Sequence, residues 1–151
     1  MSAPDRTTDQ LQLPERMLRL PSFLFLHLAK QWRRLGAQFE HDLRGQHLMI
    51  LASLEDHGAS SQKEISERLG IDASDLVALL DDLEKAGLAN RKRDERDRRR
   101  YAVMPTPAGA KVLRQRLVDV ERLNREMLSP LSPEEQDELH RLLLKLFENY
   151  R

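Results

Sequence analysis

The hydrophobic residues of this chain recur mainly with the period of an α-helix. Between Ser22 and about Glu40 they fall within an arc of about 140° at roughly 100° per residue. The members of this arc are Leu24, Phe25, Leu28, Ala29, Trp32, Leu35 and Phe39. The basic residues Lys30, Arg33 and Arg34 lie outside it, so the pattern predicts an amphipathic helix with one broad buried face.

A second helix is predicted from Gln46 to His57, and Gly58 ends it. Its apolar residues occupy more of the circumference; they are Leu48, Met49, Ile50, Leu51 and Leu54. Because a helix that is apolar on most sides packs inside a fold, we expect this one to lie deep in the structure.

Two shorter helices follow, joined by a glycine turn. Ser61 and Glu64 have the spacing of a capping box, in which each side chain satisfies the other residue's exposed backbone amide. This helix ends before Gly70, and Asp72 caps a second helix that runs to about Ala86. The pattern therefore predicts two consecutive helices with a tight connection.

The same two helices meet the steric requirements of a helix-turn-helix. Such a motif needs a small residue where the helices cross and a turn residue that tolerates positive φ. Ser66 and Gly70 supply these. The apolar residues that face each other are Ile65, Leu69, Ile71, Leu76 and Leu79. This pattern is typical of DNA-binding domains, although an ordinary helical hairpin in a core shares it.

Residues 88–104 change to the alternation of β-strands, with Tyr101 and Val103 alternating against Arg100 and Ala102. With residues 88–93 opposite, the sequence predicts a two-stranded hairpin. Its tip is basic, because residues 91–100 hold seven Arg or Lys and three Asp or Glu, a net charge of +4 in a chain of zero net charge. Such a cluster is typical of a surface that binds a polyanion; a solvated charge run is the alternative.

Two helices are predicted at the C-terminal end. Thr106 and Pro107 begin a long one that runs to about Leu128 and has an apolar face of Leu113, Leu117, Val120 and Met127. Ser132 and Pro133 begin the last one. It carries the apolar residues Leu139, Leu142, Leu143, Leu146 and Phe147. Because a small domain leaves such a face uncovered, we expect these five residues to pair with a second copy of the chain.

Composition excludes several classes of function. At 151 residues the chain is long enough for one domain with a core, and it contains no cysteine, which excludes disulfides and thiol chemistry. No apolar stretch approaches the length of a membrane span, and the polar start lacks the core of a signal peptide. No catalytic constellation is apparent and the histidines lack ligand spacing, so we predict a cytoplasmic protein with no enzymatic activity, cofactor or metal.

The chain resembles the MarR family of bacterial winged-helix regulators. The resemblance is carried by the sequence LGIDASDLVALLDDLEKAGL from Leu69 to Leu88, by Arg91, by D-R-R at 97–99, and by Thr106 with Gly109. It implies a mainly α fold with a small β-hairpin wing, a winged helix-turn-helix domain and dimerisation helices from both termini. It also implies a homodimer that binds double-stranded DNA. The organisation we expect is a mobile leader at 1–14, an N-terminal dimerisation and pocket helix at 15–45, a DNA-binding lobe at 46–106 and dimerisation helices at 107–151.

The resemblance assigns DNA contacts to the wing. Asp97 and Arg99 match the family's wing pair, in which the aspartate orients a guanidinium that enters the minor groove. Arg96 and Arg98 at the same tip would contact phosphates. A local ion pair that only stiffens the hairpin is the other interpretation of Asp97 and Arg99.

The helix after the turn is predicted to enter the major groove. Its candidate contacts are Ser74, Asp75, Val77 and Ala78, and Ser61 and Gln62 are further candidates at the start of the preceding helix. Residues 72–86 hold five Asp or Glu and one Lys, a net charge of −4. We therefore expect modest base readout, and the acidic helix leaves open a rival function as a protein-interaction module.

The family commonly binds small aromatic effectors between the dimer helices and the DNA-binding lobe. The resemblance places His27, Gln31, Trp32 and His47 near that location. They form no motif, and core packing of Trp32 with surface solvation of the histidines is the competing interpretation. The predicted function is a dimeric DNA-binding repressor whose affinity is tuned by such an effector.

Overall fold

The computed structural model describes residues 13–37, 43–93 and 101–150. The chain forms two compact units, residues 1–38 and residues 39–151. In the first unit a short helix α1 (Glu15–Leu18) precedes α2 (Pro21–Gly36). The predicted leader, apart from its last two residues, lies outside the described residues, and α1 is a helix that the sequence pattern did not reveal.

The second unit contains a helix-turn-helix, a hairpin and two long helices. In chain order its elements are α3 (Gly45–His57), β1 (Ser60–Ser61), α4 (Gln62–Leu69), α5 (Ala73–Lys85), β2 (Ala89–Arg93), β3 (Tyr101–Pro105), α6 (Pro107–Met127) and α7 (Pro133–Asn149). This order confirms the predicted winged, mainly α fold. Within the described residues, no helix is long and apolar enough to cross a membrane.

The sheet has three antiparallel strands in the order β1-β3-β2. Val103 in the central strand pairs with Arg91 on one side and with Ser60 on the other. Strand β1 was not predicted, because a two-residue strand has no periodicity to detect. It joins the start of the helix-turn-helix to the base of the wing.

The hydrophobic core lies where α3, α4, α5, the sheet and the start of α6 meet. Its largest fully buried apolar side chains are Ile50, Leu51, Leu54, Ile65, Leu76, Leu80, Leu83, Leu113 and Val103. The predicted inward face of the helix-turn-helix is confirmed, with Ile65, Ile71, Leu76 and Leu79 buried and Leu69 packed against the cluster. Burial of this apolar area stabilises the two helices in place.

The turn between α4 and α5 has the predicted chemistry. Gly70 adopts φ 64° and ψ 28°, the left-handed conformation in which a side chain is unfavourable. The hydroxyl of Ser66 donates to the carbonyl of Ile71 at 2.7 Å. The capping box at Ser61 and Glu64 is confirmed, because each residue's backbone amide is hydrogen-bonded by the other's side chain.

A second glycine fixes the junction of the wing with α6. A Cβ placed on Gly109 would lie 2.1 Å from the carbonyl oxygen of Leu88, a backbone atom that cannot move aside cheaply. The Thr106 hydroxyl caps α6 by accepting from the amide of Gly109 at 3.0 Å, and it donates to the carbonyl of Gly87 at 2.7 Å. The threonine and glycine of the family motif therefore hold the end of the hairpin against α6.

Some predicted burial is wrong for the single chain. Helix α2 contains no buried residue, and the apolar residues Leu24, Phe25 and Leu28 of its predicted buried face are exposed. Met49 and Leu117 are also exposed, although both were placed on apolar faces. Periodicity identifies an apolar face but cannot say whether the same chain or another molecule covers it.

Candidate nucleic-acid interface

Helix α5 divides into a buried face and an exposed face. The buried side chains are Leu76, Leu79, Leu80 and Leu83. All four predicted contact residues, Ser74, Asp75, Val77 and Ala78, are exposed. Val77 is 44% exposed, so the core covers this apolar side chain only in part, and the outer face of the first two turns of α5 is exposed in the single chain.

Two acidic residues of α5 are paired with one arginine of the wing. Arg91 Nη1 lies 2.6 Å from Asp81 Oδ1 and also bonds Glu84, whose carboxylate in turn accepts from the Arg91 amide at 2.8 Å. The Arg91 side chain is only 21% exposed. Burial alone lowers the pKa of the guanidinium, but the hydrogen bond to Asp81 and the charge of Glu84 outweigh it, so the pKa is raised. Arg91 is therefore held permanently charged between the two carboxylates.

The residues at the start of α4 have internal partners. With the Gln62 amide oriented so that its oxygen faces Arg91, that oxygen accepts from Nη2 at 3.1 Å and from Nε at 3.2 Å. The Ser61 hydroxyl donates to Glu64 at 2.8 Å. Both were predicted to contact DNA, and the structure shows each of them already engaged within the helix-turn-helix and the wing.

The first turn of α5 is closed by its own cap. Asp72 Oδ1 accepts from the Ser74 hydroxyl at 2.6 Å and from the Ser74 amide at 2.9 Å. These two hydrogen bonds lower the pKa of the Asp72 carboxyl. The interpretation of Asp72 as a helix cap is thus confirmed.

A fourth acidic residue of α5 faces a buried histidine of α3. His47 is 2% exposed, its Nδ1 accepts from the Arg44 amide at 2.9 Å, and its Nε2 lies 3.4 Å from Asp82 Oδ2. Because Nδ1 accepts a hydrogen bond, Nε2 carries the proton of the neutral ring and points toward the carboxylate. The expectation that the histidines are solvated surface residues is wrong for His47, whose helical position gave no indication of its burial.

These contacts involve four of the five acidic residues behind the net charge of −4 of residues 72–86. Asp72 is a cap, Asp81 and Glu84 share Arg91, and Asp82 faces His47. Only Asp75 of the five acids lacks a partner among the described residues. The positive charge of Arg91, which lies outside residues 72–86, offsets part of their net charge of −4.

The tip of the wing lies outside the described residues, and so do the predicted contacts Arg96, Asp97, Arg98 and Arg99. The strand that leads to it is described: Lys92 and Arg93 are exposed at the end of β2, opposite Ala102 and Tyr101. Basic side chains thus leave the base of the hairpin on the same strand as Arg91.

The sequence was compared with known proteins. The sequence profile of the MarR family matches residues 41–100. The chain is 30% identical over 124 residues to YfiV of Bacillus subtilis, an uncharacterised HTH-type transcriptional regulator, covering 80% of this chain and 74% of YfiV. This chain belongs to the MarR family. The resemblance on which the predicted fold and function depend is therefore confirmed, and the protein is a DNA-binding transcriptional regulator of that family.

Two solved structures of regulators show the same architecture. A probable transcriptional regulator from Pseudomonas aeruginosa matches with a TM-score of 0.75 at 29% identity, over 87% of this chain and 99% of that chain. The PcaV regulator of Streptomyces coelicolor, solved in complex with its natural ligand, matches with a TM-score of 0.75 at 24% identity over the full length of both chains. The second likeness is a likeness of fold.

The predicted dimerisation residues of this MarR family member are open in the single chain. Helix α7 has no buried residue, Leu139 is half-buried, and the other four are exposed, with Phe147 at 64%. The exposed set extends through Leu144 to Tyr150. A row of large apolar side chains along a whole helix is the kind of surface that another molecule covers.

The predicted effector residues lie in both units. His27 stacks on Phe23 with ring centroids 5.7 Å apart. Gln31 and Trp32 are half-buried in α2, and His47 belongs to α3 of the second unit. Their role in ligand binding remains a prediction. In the described part of the chain no group of three or more His, Asp or Glu residues is arranged to hold a metal ion.

The main residue that sequence reasoning left without a role is Arg91. It was quoted as part of the family motif but not given a contact. A signal was present, because Asp81 and Glu84 are three residues apart and therefore share one face of α5. What the pattern lacked was the register that places β2 beside that face.

Proposed function

We propose that this MarR family regulator binds a pseudo-palindromic operator as a homodimer, placing α5 in the major groove and the wing in the minor groove. The observation that supports this most is the free outer face of α5 next to a hairpin that ends in basic residues. Helix α5, as the recognition helix, and the wing would contribute in different ways. Contacts to base edges determine the sequence that is bound, whereas contacts to phosphates fix the position of the protein on the duplex. The two half-sites would lie about 34–36 Å apart, one turn of the duplex.

The apolar surface of α7 supports the dimer. Five of its large side chains, from Leu142 to Phe147, are exposed in the single chain, and closed two-fold pairing is the commonest way in which such a surface is covered. A dimer would supply two recognition helices and two wings at once. Doubling the contacts in this way raises affinity without any new type of contact.

We include a small aromatic effector in the proposal, with the half-buried α2 residues His27, Gln31 and Trp32 as candidate contacts. The ligand-bound PcaV structure has the same fold. A DNA-binding regulator acts where the DNA is, and so we expect the protein in the cytoplasm. The rival function as a protein-interaction module is not favoured, because the chain belongs to a family of DNA-binding regulators and Arg91 offsets part of the acidic charge of α5.

One experiment tests the proposal. Purified full-length protein is incubated with a random duplex library, and bound DNA is selected and sequenced. We expect a pseudo-palindromic consensus whose half-sites are one helical turn apart, and binding that saturates at one dimer per site. If no sequence is enriched over the starting library at any protein concentration, the proposed function is wrong.

A further inference from the structure

The side chains of α5 limit the kinds of contact by which this helix can recognise the bases of an operator. All of α5 is described, and its residues Ala73 to Lys85 include no Arg, Asn or Gln. Arginine makes the usual bidentate contact to guanine, and asparagine or glutamine makes the usual one to adenine. Neither contact is available from this helix. Lys85 lies in the last turn, about 12 Å along the axis from Val77, whereas recognition helices contact bases with their N-terminal residues.

The polar groups near the start of α5 are largely occupied. The Ser74 hydroxyl donates to Asp72, and the amide oxygen of the half-buried Gln62 on α4 faces the Arg91 guanidinium. Asp81 binds the same guanidinium. Asp75 remains as an acceptor, which fits the exocyclic amine of cytosine. Side-chain hydrogen-bond donors for base edges are therefore scarce in the first turns of α5 itself.

What remains exposed at the same place is small and apolar. Val77 is 44% exposed, and Ala73 and Ala78 beside it are exposed as well. The only apolar group on the major-groove edges of DNA bases is the C5-methyl of thymine. Side chains as short as these also let the helix backbone approach the groove closely.

We propose that α5 reads its operator mainly through thymine methyl groups, with Val77 and Ala78 as the residues that determine specificity. We therefore expect each half-site of the operator to contain thymines where the first two turns of α5 lie in the major groove. This inference rests on the proposed function and names the DNA that it recognises.

Deoxyuridine provides the test, since it differs from thymidine only by the missing methyl. A duplex enriched from the random library is resynthesised with deoxyuridine at one thymine of both half-sites at a time, and affinity is measured by fluorescence anisotropy. We expect one or two positions to lose about fourfold in affinity per methyl removed. In Val77→Ala the loss at those positions should shrink toward none, whereas Val118→Ala, an equally conservative change at an α6 valine that is 55% exposed, should leave it unchanged.

The outcomes distinguish a failure of thymine-methyl readout from a failure of DNA binding itself. Equal affinity for thymidine and deoxyuridine duplexes at every position overturns methyl readout but leaves DNA binding intact. A penalty that is identical in the wild type and in Val77→Ala overturns the role of Val77. Failure to enrich any duplex overturns the proposed function itself.

Discussion

Arg91 Nη1 and Asp81 Oδ1 lie 2.6 Å apart, and this contact joins β2, the strand that leads into the wing, to the C-terminal half of α5, the proposed recognition helix. Glu84 and Gln62 complete the surroundings of the guanidinium. One side chain thus connects α4, α5 and β2. The planar guanidinium offers five donors in a fixed fork, which suits partners on several elements better than the three donors of a compact ammonium group do.

Replacement of Arg91 by Ala should lower the free energy of unfolding by about 2 kcal/mol and weaken operator binding, because two carboxylates of α5 lose their counter-charge. Arg91→Lys should retain only part of the stability and only part of the operator affinity of the wild type. Denaturant unfolding and DNA titration measure the two effects. Arg114→Ala is the matched control, since Arg114 forms an exposed 3.7 Å pair with Glu55 and should cost little. Equal losses in the two alanine variants would contradict the joining role of Arg91.

Gly109→Ala should destabilise the protein by about 3 kcal/mol, because the added methyl meets the carbonyl of Leu88 at the junction of the hairpin with α6. Thermal unfolding followed by circular dichroism provides the measurement. Gly45→Ala is the control: a Cβ there meets nothing within 4 Å, so that variant should be unchanged or slightly more stable. A Gly109→Ala protein as stable as the wild type would show that the junction is looser than described.

Leu146→Glu should dissociate the proposed dimer, because it introduces a charge into the exposed apolar row of α7. Light scattering coupled to size exclusion measures the mass of the species directly. Lys145→Glu places a carboxylate on the neighbouring polar residue, and although it changes the charge by two units instead of one, it should leave the mass unchanged. A wild-type protein that runs as a monomer at every concentration would rule out α7 as a homodimer surface.

Arg99→Ala should weaken operator binding by about 1 to 3 kcal/mol, and by more than Arg34→Ala does. Affinity should also fall steeply with salt, since a chain of zero net charge binds DNA phosphates only through a local basic cluster. Titrations at several salt concentrations measure both. An affinity that stays flat between low and moderate salt, or equal losses in the two variants, would contradict the wing assignment.

The cap of α5 should weaken in acid. The pKa of Asp72 is lowered in the fold from its ordinary value of 3.8 by the hydrogen bonds from Ser74. A lowered carboxyl pKa stabilises the fold at pH values above the ordinary one, and that contribution is lost as pH falls below about 4. Asp72→Asn should therefore reduce the pH dependence of the melting temperature below about pH 4. An unaltered acid profile in this variant would mean that the cap does not contribute.

Much of this fold follows from local chemistry. The capping boxes at Ser61 and Ser132 and the glycine turn at Gly70 have their expected roles, because such signals act over three or four residues. The starts of α4, α5, α6 and α7 follow from such capping residues, whereas α1 begins without one and was not predicted. The burial of His47 and the pairing of Arg91 do not follow from local signals, because both depend on which elements become neighbours in the fold.

The candidate site was predictable in outline only. Residue type and spacing located α5 and the four exposed contact candidates, Ser74, Asp75, Val77 and Ala78. They could not show that Ser61 and Gln62 are engaged internally, since a hydrogen-bond partner is a property of three-dimensional packing. For the same reason the sequence could not show that Arg91 offsets part of the net charge of α5.

The amide of Arg91 donates to Glu84 instead of pointing outward from β2. Strand β2 is the outer strand of the sheet on that side, and a free outer edge invites pairing with a strand of another molecule. Glu84 of α5 thus satisfies an amide on this edge of the sheet that a strand of another molecule could otherwise bind. Substitution of Glu84 should therefore favour aggregation of the protein during storage, even where its affinity for DNA is unchanged.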